Sequence, residues 1–424
     1  MIIPLPVLAA YRRDLETLGD SRVFEPEFER ALGSWVSFGS VLESCLAELT
    51  SATQEPGTDV VAGILATHGL RLAALADDHD PAADIASPVS STAPPRDLAA
   101  MAALTRRVAD AAEQRGALWL AYAMLTTVER AGDAMSPLEL GRVLAQRARV
   151  ARKADSSEIA HTLYSRVDTL GRRANVPELT ARAAIGLGVL SQFRGNLPLA
   201  AQHFAKAARI AARAGDADLL RLAQHGRMVI AGRRGAFADA LSFGWDAFAA
   251  SAGNGEQEAD MLLNLAHIAF ETGHPGPALQ GFSAALARRP GPRLLLPALG
   301  GAARAAAALN RMEVVQWCSA QIDEMAHKGS FAYPIASALL DLALATATTQ
   351  PTVAERYVSR ALRLAEEFQF HELEHHLVTL QTRLEDRTVS AAAAAPSNRS
   401  VGARGDEILR QIEQLEGQLL QAVT

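Results

Sequence analysis

Two groups of side chains in this 424-residue chain have types and spacings that could do chemistry. The first is His371-Glu372-Leu373-Glu374-His375. On a helix, His371 and His375 lie one turn apart and could share a zinc ion, with Glu372 as general base for metal-assisted hydrolysis. Glu374 puts a charge inside that pattern, and no histidine follows His376 to supply a third ligand. A polar, solvated helix face is the plainer interpretation, and a zinc hydrolase is kept as a remote alternative. The second group is Arg142, Arg147, Arg149, Arg152 and Lys153, within a stretch containing no acid. Arg142, Arg149 and Arg152 share a helical face by their spacing, and guanidinium forks suit carboxylates and phosphates. They form either a basic wall for an acidic peptide or a solvated helix edge. There is no G-x-x-x-x-G-K-[ST] phosphate loop and no G-x-G-x-x-G, and Gly281-Phe282-Ser283-Ala284-Ala285 falls short of G-x-S-x-G. The sequence therefore points away from an enzyme, with no catalytic residue, metal or cofactor assigned.

The elements that position these groups are helical. Between Ala259 and Pro290, Leu262, Leu265, Ala266 and Ala269 fall on one helix face. Gly273 follows, where a helix end favours a residue that tolerates positive φ. Pro275 and Pro277 suit the start of a second helix, Ala278, Phe282 and Ala285 make its stripe, and Pro290 stops it. Ala266 and Ala278 let the two backbones approach, with Phe282 filling the space between them. Similar units recur. Turn markers at Gly116, Asp155, Gly195, Gly235, Gly273, Asn310 and Thr349 are 39, 40, 40, 38, 37 and 39 residues apart. Five residues after each marker stand Ala121, Ala160, Ala200, Ala240, Ala278, Val315 and Ala354.

Leu262-x2-Leu265-Ala266-x2-Ala269, then Ala278-x3-Phe282, then Pro290, resembles the tetratricopeptide repeat. A second copy runs Ala184-x2-Leu187-Gly188-x2-Ser191, Gly195, Ala200-x3-Phe204, Ala207. Aromatic positions of the first helix are lost in both, and the period exceeds the family's usual length of about 34. Armadillo-like units of roughly 40 residues are the rival. The resemblance implies an all-α fold, a right-handed α-solenoid of antiparallel helix pairs, whose first helices line a concave groove. Arg142, Arg149 and Arg152, Gln192 and Phe193, Asn264, His267 and Phe270, and Arg304 are the residues it places there. The residue set with which chaperone adaptors clamp a carboxylate is not reproduced, since Asn264 stands alone.

Residues 1–78 are expected to be helical without the repeat, as an N-terminal cap or a separate module. Residues 79–97 are a Pro/Ala/Ser-rich linker, and 98–386 hold about seven repeats plus a capping helix. Residues 387–405 are a flexible connector. In 406–424, Ile408, Ile412, Leu415 and Leu419 follow a heptad pattern. That amphipathic helix suits docking on its own array, docking on a partner, or self-association. A formal charge of -6 argues against nucleic acid as partner. No apolar run is long enough to span a membrane. Two distant cysteines, Cys45 and Cys318, support no disulfide framework, and the N-terminus lacks a basic stretch before its apolar run. Cytoplasm is the expected location. The expected function is a scaffold binding a protein or peptide, favouring acidic and apolar segments. The alternative is a peptide-responsive regulator acting through a partner protein.

Overall fold

A computed structural model describes residues 26–52, 58–77, 97–114, 117–154, 156–327, 332–368, 370–386 and 399–417. The proposed 79–97 linker apart from Asp97, most of the 387–405 connector and Leu419 lie outside them. Described residues form helices and turns with no strand, and no helix among them is long and apolar enough to cross a membrane. The chain divides into two compact units, Met1–Asp216 and Ala217–Thr424.

Unit 1 contains α1 (Pro26–Ala52), α2 (Thr58–Asp77), α3 (Leu98–Gln114), α4 (Leu118–Glu129), α5 (Pro137–Lys153), α6 (Ser157–Arg173), α7 (Pro177–Phe193) and α8 (Leu197–Ala214). Helices α3/α4, α5/α6 and α7/α8 are antiparallel pairs, in which the odd-numbered helix comes first. α1 packs on α4, and the α1/α2 hairpin lies outside the repeat. Trp35, Phe38, Leu42 and Cys45 join Met101, Leu120 and Met124 in its core. A second cluster, with Leu144, Leu163, Tyr164 and Leu179, lies under the α5–α7 layer.

Unit 2 contains α9 (Ala217–Arg233), α10 (Phe237–Ala249), α11 (Gly255–Glu271), α12 (Pro275–Ala287), α13 (Pro292–Ala308), α14 (Met312–His327), α15 (Ala332–Thr346), α16 (Pro351–Glu367), α17 (His371–Glu385) and α18 (Gly402–Glu413). One continuous core runs through it from Met228 to Ile412.

One chain reversal is used throughout. The residue after the marker donates its N–H to the carbonyl five positions back: Ala117 to Ala112, Ser156 to Ala151, Asn196 to Ser191, Ala236 to Ala231, His274 to Ala269 and Arg311 to Ala306, each at 2.9 Å. This closure is the Schellman bond, and it needs a left-handed residue at the turn. Gly195, Gly235 and Gly273 supply it at φ of 75°, 72° and 85°, and Asn310 at 57°. Thr349 departs from the scheme, since Gln350 bonds to Thr346 instead. Proline opens α5, α7, α12 and α16 within their first two residues, where the missing N–H costs least. The marker-plus-five alanines are wholly buried, with Val315 at 2% exposure. Small residues there let helices of a pair close, and aromatic rings then key into glycines. Side chains at Gly186 and Gly301 would collide with the Tyr164 and Phe282 rings.

The chain's end departs from the expected boundaries. α18 starts at Gly402, inside the proposed 387–405 connector, and stops at Glu413, with residues 414–417 continuing without helix. It docks in cis, across α10 and α12. Ile408, Leu409 and Ile412 are buried there. The Arg399 N–H donates to the Thr272 carbonyl at 2.9 Å, and the Gln280 amide donates to the Leu415 carbonyl. The apolar stripe is satisfied by its own unit, because burying Ile408 and Ile412 removes from water the face that self-association would use.

Candidate functional site

The first helices of neighbouring pairs lie side by side, so residues about one period apart meet. In unit 1 this builds a ladder of ion pairs. Arg142 on α5 makes a two-pronged contact with Glu178 on α7, Nε to Oε1 at 2.9 Å and Nη2 to Oε2 at 2.8 Å. Its Nη1 donates to Glu139 at 2.8 Å. Arg182 adds a 2.8 Å bond to Glu178, and Arg106 on α3 reaches Glu139 at 3.6 Å. Hydrogen bonding to Glu178 holds the Arg142 guanidinium above its ordinary range. Burial would raise the Glu178 carboxyl, but the Arg142 and Arg182 bonds outweigh it and hold it low.

Farther along α5, Arg149 binds Glu113 of α3 at 2.7 and 3.1 Å and also Asp110. Lys153 sits 2.8 Å from Glu113, whose side chain is only 2% exposed. Arg147 binds Glu129 and the Tyr122 hydroxyl. The acid-free run in sequence is thus supplied with acids from the adjoining helices. Arg142 and Arg149 are structural ties between helices, because partly buried charges need partners.

Arg152 differs. It has no carboxylate partner among the described residues, and its buried Nε makes no hydrogen bond. Its guanidinium lies 5.7 Å from the centre of the Phe193 ring. Phe193, at the end of α7, is 71% exposed, and Gln192 beside it is partly buried. Arg152, Gln192 and Phe193 therefore come together at one end of the unit 1 first-helix face.

In unit 2 the corresponding face brings His267, Phe270 and Arg304 together. The Arg304 guanidinium lies 4.8 Å from the Phe270 ring centre, and Nη1 donates to Asp341 of α15 at 3.3 Å. Gly300 makes the room, since a Cβ there would stand 2.7 Å from the Asp341 carboxylate. Burial pushes Asp341 up to about 6 in spite of Arg304. His267 packs edge-on to Phe282 at 4.9 Å, and burial, aided by Arg304, pushes it down to about 4. Asn264 is engaged locally, donating to the Asp260 carbonyl at 2.7 Å.

Sequence reasoning missed Glu113, Glu139, Glu178 and Asp341. A signal for most of them was present: Arg142 and Glu178, and Glu113 and Arg149, are 36 residues apart, while Arg304 and Asp341, and Asp323 and Arg360, are 37 apart. Opposite charges just short of one period apart mark contacts between repeats.

The zinc-like pentapeptide opens α17. His371 is 81% exposed, 3.5 Å from Glu374, and His375 leans towards His376. Among the described residues no three His, Cys, Asp or Glu side chains are placed to hold a metal. Cys45 and Cys318 are buried free thiols, pushed by burial to about 11 and about 12.

No protein family and no curated protein matches the sequence. Among solved structures, the chain is similar to a Signal Transduction ATPase with Numerous Domains protein with a tetratricopeptide repeat sensor from Pyrococcus horikoshii. Identity is 12% and the TM-score 0.51, over 88% of this chain and 55% of that one. The chain thus spans about half the length of that protein. A Rap protein complexed with competence and sporulation factor aligns at 12% identity and a TM-score of 0.46, over 91% and 100% of the two chains. Aspartyl phosphate phosphatase F from Bacillus subtilis aligns at 12% and 0.40, over 85% and 89%. Likeness at such identity is one of fold. With its recurring reversals, buried alanines and absence of strands among the described residues, the chain is an all-α array of tetratricopeptide-like helix pairs.

Proposed function

We propose that the first-helix face of unit 1 binds a protein or peptide segment that carries a carboxylate beside an apolar side chain. The observation that carries this is Arg152 with Phe193. In a row where Arg142, Arg147, Arg149 and Lys153 are all tied to carboxylates, Arg152 keeps an unpartnered buried Nε. It stands against a large, mostly exposed ring. A carboxylate arriving at Arg152 would complete a charge-assisted bond of the kind its neighbours already have. Phe193 would offer the aromatic area typical of binding hot spots. Gln192, and in unit 2 Asn264, His267, Phe270 and Arg304, extend the same class of surface.

The test is selection of acidic and apolar heptapeptides from a displayed library, then titration of the selected peptides against the wild type, Arg152→Glu and Phe193→Ala. Each substitution is expected to weaken binding about tenfold or more. If both variants bind the same peptides with unchanged affinity, the proposal is wrong. A peptide-responsive regulator acting through a partner protein is the second reading. What favours it is the repeat sensor of the similar Pyrococcus protein.

A further inference from the structure

Unit 2 shows what its second-helix face can hold. After α18, the chain runs alongside α12 in the same direction. The Glu413 carboxylate lies by Gly276, the Leu415 carbonyl accepts from Gln280, and Gly417 passes directly over Ser283. Counted from the marker Gly273, Gln280 and Ser283 stand at plus seven and plus ten. The same offsets from Asp155 in unit 1 give Thr162 and Ser165. These two hydroxyl side chains line a groove of about 510 Å³, floored by Leu140 and Leu144 of α5 and continued along α6 by Arg166 and Arg173. Unit 1 therefore repeats, in open form, the seat that unit 2 fills with residues 413–417.

The two seats differ in two instructive ways. At plus eight, unit 2 has Gly281, which Ile412 approaches closely, whereas unit 1 has the buried Leu163. A docked helix cannot come as near there, but an extended segment crossing Thr162 and Ser165 can. At plus eleven, unit 2 has Ala284 where unit 1 has Arg166. Arg166 is 52% exposed while pairing with Glu129 at 2.9 Å. Arg173, a further two turns on, is exposed. Glu158 stands at the opposite end of the groove, so the positive charge lies only where a segment running with α6 would leave.

We propose that this groove is a second binding site, which takes an extended segment of another polypeptide. The segment runs in the same sense as α6, donates a backbone N–H to the Thr162 hydroxyl, whose own proton goes to the Glu158 carbonyl, places an apolar side chain over Leu140 and Leu144, and carries carboxylates at its C-terminal end. The site is separate from the first-helix face and does not depend on it.

The probe is a fluorescein-labelled peptide with the sequence of residues 411–417 followed by two glutamates, titrated into the full chain by anisotropy. Binding is expected to weaken about tenfold or more in Arg166→Gln/Arg173→Gln, and when glutamines replace the two glutamates, because charge-assisted contacts are lost. Ser165→Trp should block it, and Gln280→Ala should leave it intact. Arg173→Gln alone, at an exposed position, keeps the test valid should the double variant be poorly folded. No binding, or binding indifferent to Arg173 and Ser165, overturns the proposal. So does binding lost only in Gln280→Ala, which would mean that the probe had merely replaced the chain's own tail. A dimer of the full chain that Arg173→Gln splits would overturn it too, by making a second copy the occupant.

Discussion

Asp341 and His267 lie on one face of unit 2 with Arg304 between them, and their titrations oppose each other. The Asp341 carboxyl goes from the ordinary 3.8 to about 6. The folded state then keeps a proton that the unfolded chain has released, so this group's contribution is full below about 4 and is lost as pH rises to about 6. His267 goes from 6.5 to about 4. Here the unfolded chain takes a proton that the folded state refuses, so the contribution is present above about 6.5 and is lost as pH falls to about 4. At about 1.4 kcal/mol per pH unit of displacement, each is worth about 3 kcal/mol across that window, with opposite slopes. The pair should nearly cancel in the wild type. Asp341→Asn removes one slope, so its stability relative to wild type should improve by about 3 kcal/mol between pH 4 and pH 6. His267→Gln should worsen by a similar amount over the same range. The assay is urea unfolding at pH 4, 5, 6 and 7, followed by Trp245 and Trp317 of unit 2 in a Trp35→Phe/Trp119→Phe background. A difference between Asp341→Asn and wild type that stays flat within about 1 kcal/mol from pH 4 to 6 would refute the assignment of buried, opposed groups.

Other outcomes follow from packing and pairing. Gly301→Ala drives a methyl into the buried Phe282 ring and should cost about 1–3 kcal/mol, read as a lower midpoint in thermal unfolding. Ile412→Ala, with Ile412 wholly buried, should cost unit 2 about 2–4 kcal/mol. Ending the chain at Asp386 should uncover the α10/α12 face and produce binding of a hydrophobic dye. Arg142→Met leaves Glu178, whose side chain is 18% exposed, with Arg182 as its remaining partner, and should destabilise unit 1 by about 1–3 kcal/mol. Adding Glu178→Gln should recover part of that loss, which a double-mutant cycle would measure.

The array was legible because its signals are local and repeated. Gly195, Gly235 and Gly273 announce a backbone conformation that most residues avoid, and the alanine five places on announces a close helix contact. Each survives the loss of the aromatic signature. The Arg152, Gln192 and Phe193 group, and the His267, Phe270 and Arg304 group, could be placed because register within a helix follows from spacing alone. What the charges do could not be read one helix at a time. The stretch from Arg142 to Lys153 looks basic in sequence, yet its counter-charges sit mostly on other helices, α3, α4 and α7. Burial of Asp341 likewise depends on Gly300 of another helix. The end of the chain was ambiguous for a related reason. A short apolar stripe states that a face must be covered, while Gly281 and Leu241, which cover it, lie more than 100 residues upstream.

Open stacks of hairpins gain stability from nearest neighbours and can fray from either end. Unit 2 is not such a stack. The chain passes through α13 to α17 and then returns to fasten onto α10 and α12, so five helices are held in a closed circuit. If α17 and α16 peel away, they remain tethered between two anchored points, and the released segment gains less disorder than a free end would. Fraying from the carboxyl side is therefore discouraged at a distance, and loosening of α18 should lower protection from hydrogen exchange in α16 and α17, which lie beyond the two helices it docks across.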